Sequence, residues 1–385
     1  MKLIPWDYAA RNLGRNKLRL LSSLGGCVLV TLLVMAAAAF VRGMEKSLQV
    51  SGMGKNVLLI GAGSEESLER SEIGNGVASV LAASVQGIKT TLGVPYISPE
   101  IQMAALLNLE KDSVHGEMAL FRGMTPAAFL VHPQVRIVDG RIPGPNEILA
   151  GKLAAARMGI SADRLAVGRT IWFDGRPCTI SGHFEAPHTV MEAELWIPLK
   201  DLQIFSKRDD VSTVVLTLDD AEFDDIDAFC KTRLDLELVA VRESDYYAKL
   251  SEFYKPVQSI IWVTAMLIAL GGLFGGLNTM YAAFAARSRE LGMLQCLGYS
   301  RFALVVSMMQ ESMLIAVTGG LFAIVAGYLL LDGIAVRVTM GAFGLSIDTQ
   351  VLALSLGAAL ALGVAGALPP AWGTLRMPIA EALKK

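Results

Sequence analysis

The 385-residue chain carries a formal net charge of −2, with 53% hydrophobic residues, 18% charged residues and a mean hydropathy of +0.48. A composition so apolar and so poor in charge excludes an ordinary soluble globular protein and asks for a membrane. The charges are also sorted: residues 44–255 hold 21 Lys+Arg against 30 Asp+Glu, whereas the remainder of the chain is net positive.

The opening segment, residues 1–19, contains PWDYAARNLGRNKLRL, with Pro5 at a first helical position. Arg11, Arg15 and Arg19 recur every four residues, Asp7 stands one step earlier, and Trp6, Ala10, Leu13 and Leu20 fall on the opposite face. The pattern predicts an amphipathic helix in the inner membrane interface, its arginines doubling as a topology signal. Four windows then lack Asp, Glu, Lys and Arg, apart from Glu311: Leu20–Val41, Pro256–Ala286, Phe302–Leu331 and Thr349–Leu375. Each meets the roughly 20 residues that a membrane span needs. They place spans at 20–43, 256–286, 302–331 and 349–371. The first is too long for a cleaved signal peptide, and Val41-Arg42-Gly43 is a poor cleavage site.

Between the first two spans, residues 44–255 read as an α+β domain. NVLLI, MAALLNL, MALFRGM, EILAG, RTIWF, CTISGHF, LWIPL and VSTVVLTL are predicted strands, KLAAARMG and EFDDIDAFCKTR predicted helical patches, and GAGSEESLERSEIGNG a polar, flexible stretch. SDYYAKLSEFYKPVQSIIW keeps helical apolar spacing through Tyr247, Leu250, Phe253 and Tyr254, which predicts a stalk continuous with the second span and kinked at Pro256. In that span Gly271, Gly272, Gly275 and Gly276 form two overlapping small-xxx-small pairs, suited to close helix packing. Residues 287–301 follow as a short charged segment, then a loop over 332–348. The last span is expected to end at Pro369 and Pro370, before a tail over 372–385.

The basic excess lies in Lys2, Arg11, Arg15, Lys17 and Arg19, in Arg287, Arg289 and Arg301, and in Arg376, Lys384 and Lys385. The positive-inside rule puts these three segments in the cytoplasm, and residues 44–255 and 332–348 outside.

Enzyme signatures are missing from the sequence. It contains no GxxxxGK[ST], HExxH, CxxC or GxSxG. His183 and His188 stand five apart beside Glu185, Glu192 and Glu194, but with no helix to hold the imidazoles together they read as a solvated loop rather than a metal site. Cys178 and Cys230 share the outside domain, and the sequence leaves a disulfide between them open. Glu311, the one acid within the spans, reads as a structural group bonding neighbouring helix ends or the 287–301 segment, rather than as a proton relay. A membrane-tethered hydrolase acting from 44–255 lacks a nucleophile or metal motif.

RSRELGMLQCLGYSR resembles the motif of MacB/FtsX-like permeases of ABC transporters, and QESMLIAVTGG, PIAEALK and the N-terminal AARNLGRNKLRLLSSLGG continue the resemblance. FRGMTPAAF, IVDGRIPG, NEILAGKLAAARMGI and CTISGHFEA follow the pattern of the MacB-like outside domain in the same order, and Gln295, Cys296 and the lone Arg301 depart from the usual pattern. The resemblance implies an FtsX-like permease domain over 256–385 in a bacterial inner-membrane protein with no ATPase domain of its own, as in LolCDE- or FtsEX-type systems. Its implied partners are a separate ATPase, a second permease copy or paralogue, the lipid membrane and, in some systems, a periplasmic adaptor. No nucleic acid and no cofactor are expected, and the chain is not expected to be an enzyme. Mechanotransmission is implied, for export or for extraction of lipids or lipoproteins; the alternative is an FtsX-type transmitter that activates an outside partner such as a cell-wall hydrolase. Within this frame Arg287, Ser288, Arg289, Glu290, Leu291, Gly292, Leu294, Gln295, Leu297 and Gly298 form the ATPase-coupling helix. Ser288, Gly292 and Gln295 are expected to face the ATPase, Leu291, Met293, Leu294 and Leu297 to face the bilayer or the spans, and Gly298 to stop the helix.

Overall fold

The computed structural model describes residues 6–111, 113, 116–338 and 341–375. Lys2, Pro5 and the tail from Arg376 to Lys385, with its PIAEALK motif, lie outside the described residues. The chain divides into a helical unit, residues 1–42, 256–334 and 345–385, and a sheet unit, residues 43–255 and 335–344.

Among the described residues, four helices are long and apolar enough to cross a membrane. They are Lys17–Ser51, Glu243–Ala285, Arg301–Leu331 and Thr349–Leu375. A separate short helix, Trp6–Gly14, precedes them. The arginine repeat is therefore split: Asn16 starts a new helix, its side chain accepting from the Arg19 N–H at 3.1 Å, and Arg19 belongs to the first long helix. Ala9, Asn12 and Leu13 are the buried face of the short helix, and Trp6 is exposed.

Small residues let the spans of the helical unit approach closely. A Cβ on Gly319 would fall 2.9 Å from Cys27 Sγ, and one on Gly327 would fall 2.7 Å from Met35 Sδ, so the third span lies against the first through glycines two turns apart. A Cβ on Gly320 would lie 3.0 Å from the Ala359 Cβ, and Ser312 Oγ donates to the Gly363 carbonyl at 2.7 Å, which joins the third span to the fourth. Pro369 and Pro370 do less than expected. Pro256 sits inside the 43-residue helix Glu243–Ala285, and Pro369 and Pro370 sit inside Thr349–Leu375 rather than ending it. Membrane helices tolerate the lost hydrogen bonds where neighbouring helices cover the freed carbonyls.

The sheet unit is built on ten strands: β1 Asn56–Gly61, β2 Ile97–Asn108, β3 Glu117–Met124, β4 Arg136–Gly140, β5 Glu147–Gly151, β6 Thr170–Phe173, β7 Arg176–Glu185, β8 Leu195–Pro198, β9 Thr213–Thr217 and β10 Leu238–Arg242. Their order is β10-β1-β9-β2-β3-β8-β5-β7-β4, with β6 pairing β7 and β2. Most pairs are antiparallel, but β3 with β8 and β5 with β7 run parallel. One face carries the main core, in which Leu59, Ile101, Phe121, Ile148, Ile197 and Leu216 are fully buried and the helices Val77–Ser84, Leu199–Ser206 and Phe223–Thr232 contribute Leu81, Leu202 and Ile226. The other face carries Met124, Leu149, Phe184 and Trp196.

β4 and β10 and the helix Leu199–Ser206 add to the predicted elements. The segment expected to be flexible holds a one-turn helix, Leu68–Arg70, and a strand, Ile73–Gly74, paired with Asp210–Val211. The 332–348 loop contains a hairpin, Ala335–Val338 with Gly341–Gly344, that belongs to the sheet unit, where Arg337 donates to the Met158 carbonyl at 3.4 Å. Cys178 and Cys230 are both buried and unbridged.

Candidate functional site

The 287–301 segment folds as a helix over Ser288–Cys296. Its end is a Schellman motif. Gly298, at φ +91°, donates its N–H to the Gln295 carbonyl at 3.0 Å, and the Tyr299 N–H bonds the Leu294 carbonyl at 3.1 Å. A left-handed residue here needs glycine, since a Cβ would be strained. Ser300 then caps the third long helix, its Oγ accepting from the Ala303 N–H at 3.2 Å.

Leu291 and Leu294 pack on the spans as expected, but Ser288 and Gly292 do not stand free for a partner. Ser288 and Gly292 are buried and Gln295 is half-buried, whereas Arg289, Met293, Cys296 and Leu297 are exposed. Leu291 is buried with Leu13, Phe284, Leu304 and Met308, and Leu294 packs against the same cluster. The small side chains of Ser288 and Gly292 let the helix lie close to its own unit, and Met293 at 50% exposure and Leu297 at 77% stand clear of it.

Behind the helix lies a charge cluster. Glu311, on the third span and 2% exposed, accepts from Arg19 Nη2 at 2.6 Å and from Arg287 Nη2 at 2.7 Å, and Asn12 Nδ2 lies 3.4 Å from the same carboxylate. Arg15 Nη1 bonds Glu290 at 3.0 Å. The short N-terminal helix, the first span, the third span and the start of the Ser288–Cys296 helix thus meet at one carboxylate. Arg15 and Arg19 were read in the sequence as interfacial and topology-setting residues, and Asn12 was not singled out. The available signal was Glu311 itself, because a buried acid in a membrane protein requires cations.

The glycines of the second span divide. A Cβ on Gly272 would collide with the Val30 side chain of the same chain, while Cβ atoms on Gly271, Gly275 and Gly276 would meet nothing within 4 Å. Gly275 and Gly276 line an apolar cavity of about 320 Å³ with Gly26, Cys27, Ser312 and Gly363. Gly272→Leu should therefore destabilise the helical unit by about 1–3 kcal/mol through overpacking, read as a lower melting temperature in detergent. Gly276→Leu should melt like the wild type. Equal losses from both would contradict this division.

The sheet unit holds a buried polar network on the face that carries Trp196. Arg122, in the centre of β3, makes a bidentate pair with Glu194 (Nε–Oε2 2.6 Å, Nη2–Oε1 2.8 Å) and bonds Glu100 through Nη1. His132 Nε2 lies 3.1 Å from the other Glu100 oxygen, and Trp196 Nε1 donates to Glu194 at 2.9 Å. Arg122 pairs in register with Gln102 on β2 and with Trp196 on β8, and Glu100 and Glu194 stand two residues before these. The two-residue strand period therefore puts all five on one face. Burial pushes the Glu100 carboxyl up, but His132 and Arg122 outweigh it and hold it at about 2. Burial also raises the Glu243 carboxyl, and there the opposing pull of His132 and of its two amide donors does not outweigh it. The sequence carried one sign of the network, an arginine inside the apolar strand MALFRGM.

No group of three or more His, Cys, Asp or Glu able to hold a metal occurs among the described residues. His183 Nε2 donates to the Leu165 carbonyl at 2.9 Å, and His188 lies on the loop after β7 at φ +59°.

Four apolar helices, a sheet domain inserted between the first and second of them, and a short helix between the second and third define the architecture. Residues 21–228 match the MacB-like periplasmic core domain and residues 262–379 match the FtsX-like permease C-terminal domain. The chain belongs to the MacB/FtsX-like family of ABC transporter permeases. It is similar to the ABC transporter permeases YknZ and YvrN of Bacillus subtilis (strain 168), 24% identical over 394 residues and 23% over 409, covering 96% of both chains in each case. Among solved structures it is similar to the periplasmic region of MacB from Actinobacillus actinomycetemcomitans, at 12% identity and a TM-score of 0.40 over 52% of this chain and 94% of that one. The extracellular domain of the transporter YknZ from Gram-positive bacteria matches at 15% identity and a TM-score of 0.36, over 48% of this chain and 99% of that one. Membership of this class implies a membrane setting and an ATPase on a separate chain.

Proposed function

We propose that this permease passes ATP-driven movement of its partner ATPase through the Ser288–Cys296 helix to the sheet domain on the other side of the membrane, for export or for extraction of lipids or lipoproteins. The chain performs no catalysis of its own; hydrolysis occurs in the partner. The observation that carries the reading is the two-sidedness of the short helix. Its back is fixed by Leu291 and by the Arg287–Glu311 and Arg15–Glu290 pairs, and its front presents Arg289, Met293 and Leu297 uncovered. A rigidly backed apolar face rimmed by charge is a docking surface for a protein groove. Gly271, where an added Cβ would meet nothing within 4 Å and which lies outside the cavity lined by Gly275 and Gly276, is the packing point offered to a second permease copy or a paralogue. A periplasmic adaptor would engage the outside domain.

The termini and the Ser288–Cys296 helix are then in the cytoplasm of a bacterium, with the inner membrane spanned four times. Membrane-impermeant thiol reagent tests this. Cys178 and Cys230 are buried, and burial pushes both thiols up to about 11, so in the folded protein they stay unreactive near neutral pH. Exposed Cys296 is a native reporter. In intact cells Ser161→Cys should label, and Cys296 should label only after permeabilisation. Labelling of Cys296 in intact cells would reverse the topology and remove the ATPase from the reach of this helix.

A further inference from the structure

Among the described residues no large apolar side chain is more exposed than Leu92, at 99%. Its φ of +52° lies in the left-handed region, where a leucine is strained. With Gly93, at φ +79°, it forms the tip of a hairpin between Thr90–Thr91 and Val94–Pro95. Two left-handed residues in a row suit such a turn, and asparagine followed by glycine is its usual sequence. Leucine here costs backbone strain and holds an apolar side chain in water, and Val94 beside it is 49% exposed. The base of the hairpin is braced: Thr91 Oγ1 donates to Tyr96 Oη at 3.1 Å, and the Lys89 ammonium stands 4.7 Å over the Tyr96 ring.

Strand register shows at which end of the sheet the hairpin stands. Arg242, Val57, Leu216 and Ile97 lie in one row across β10, β1, β9 and β2. Just beyond that row the Lys89 N–H donates to the Thr217 carbonyl and the Tyr96 N–H to the Lys89 carbonyl, and the chain bends at Tyr96 into the hairpin. Both junctions with the long helices are at this end. The helix Lys17–Ser51 leads into β1 at Asn56, and Arg242 passes directly into the helix Glu243–Ala285. The opposite end, where Gly61 pairs with Leu238, carries Leu234, 77% exposed on the one-turn helix Leu234–Leu236.

We propose that the Leu92–Gly93 tip inserts into the lipid headgroup layer on the side of the membrane that bears the sheet unit, with Leu92 and Val94 as the inserted side chains. The lengths agree. Residues 43–51, the part of the first long helix that belongs to the sheet unit, cover about 14 Å. A headgroup layer is about 5–8 Å deep, and the strand residues from Lys89 to the tip add about 10 Å. Charge does not select the lipid, because Lys55 and Lys89 share this end with Asp219 and Asp220, whose N–H groups bond the Gly87 carbonyl. Apolar insertion carries the contact, so neutral lipid suffices. The contact stands or falls independently of transmission through the Ser288–Cys296 helix.

The test uses the full-length chain with Cys296→Ser, the buried Cys178 and Cys230 being left in place. An environment-sensitive fluorophore is attached to Leu92→Cys or to Leu234→Cys, and the signal of the Cys296→Ser parent is subtracted. Each protein is placed in phosphatidylcholine nanodiscs, with or without bromine on the acyl chains next to the headgroup. The fluorophore at position 92 should be blue-shifted and should lose several times more intensity to the brominated lipid than the one at position 234. Equal quenching at the two positions overturns the proposal. So does a fluorophore at position 92 that is shielded from soluble iodide but untouched by bromine, which would put a protein such as a second copy over the tip. Should Leu92→Cys not fold, Val94→Cys gives the same reading with the same outcomes.

Discussion

Arg122→Ala should unfold the sheet domain or bring it close to unfolding. The substitution leaves Glu100 and Glu194 both essentially buried, with His132 the sole cationic candidate beside Glu100 among the described residues. Removing one partner of such a pair costs about 3–5 kcal/mol, a large share of what a single domain has. Arg122→Met combined with Glu100→Gln and Glu194→Gln should be far milder, because it removes the charges together with their partner. Denaturant unfolding of the full chain, followed by tryptophan fluorescence, to which the buried Trp196 contributes, compares them. A single mutant as stable as the triple mutant would mean that the network carries little. The same pairs set an acid limit. With Glu100 held at about 2, below the ordinary carboxyl value, its contribution is present above about pH 4 and is lost as pH falls toward 2.

Glu311→Ala is expected to be the most damaging change in the helical unit. It removes the shared acceptor of Arg19 and Arg287 and leaves both guanidinium groups, 21% and 12% exposed, without their counter-ion. The loss should be about 3 kcal/mol, the lower end of the range for a broken buried pair because long arginine side chains can turn toward water. Glu311→Gln keeps an acceptor and should fall between. The more specific consequence concerns the Ser288–Cys296 helix, which loses the Arg287 anchor at its N-terminal end. Proteolysis at Arg287 or Arg289 should therefore accelerate in Glu311→Ala beyond what the lower melting temperature explains. Unchanged cleavage there would mean that Leu291 alone seats the helix.

Some of this was legible in the chain. Four windows almost free of charge gave the spans, and Gly298 gave the end of the short helix, because both depend on residues close in sequence. The facing of that helix was not legible. Polarity suggested that Ser288 and Gly292 look outward, but inside a helical unit small residues face neighbours, and Met293 and Leu297 are the larger apolar residues left exposed. The division among the glycines had the same cause, since identical residues one position apart differ only in whether Val30 lies opposite. The Arg122 network was hidden because Glu100 and Glu194 reach it from strands 22 and 72 residues away, and strand order is not written in any local pattern. Pro369 and Pro370 misled because their helix-breaking tendency was taken without the cover of neighbouring helices.

Transmission through the exposed face of the Ser288–Cys296 helix is tested most directly by ATP hydrolysis in proteoliposomes containing this permease and its partner ATPase. Met293→Glu puts a charge on the uncovered face and leaves Leu291, Glu290 and Arg287 in place. The variant should insert, melt within about 1 °C of the wild type as an exposed substitution, and fail to hold or stimulate the ATPase. Wild-type stimulation by Met293→Glu, with loss of it instead on substitution of a residue outside this helix, would contradict transmission through this face.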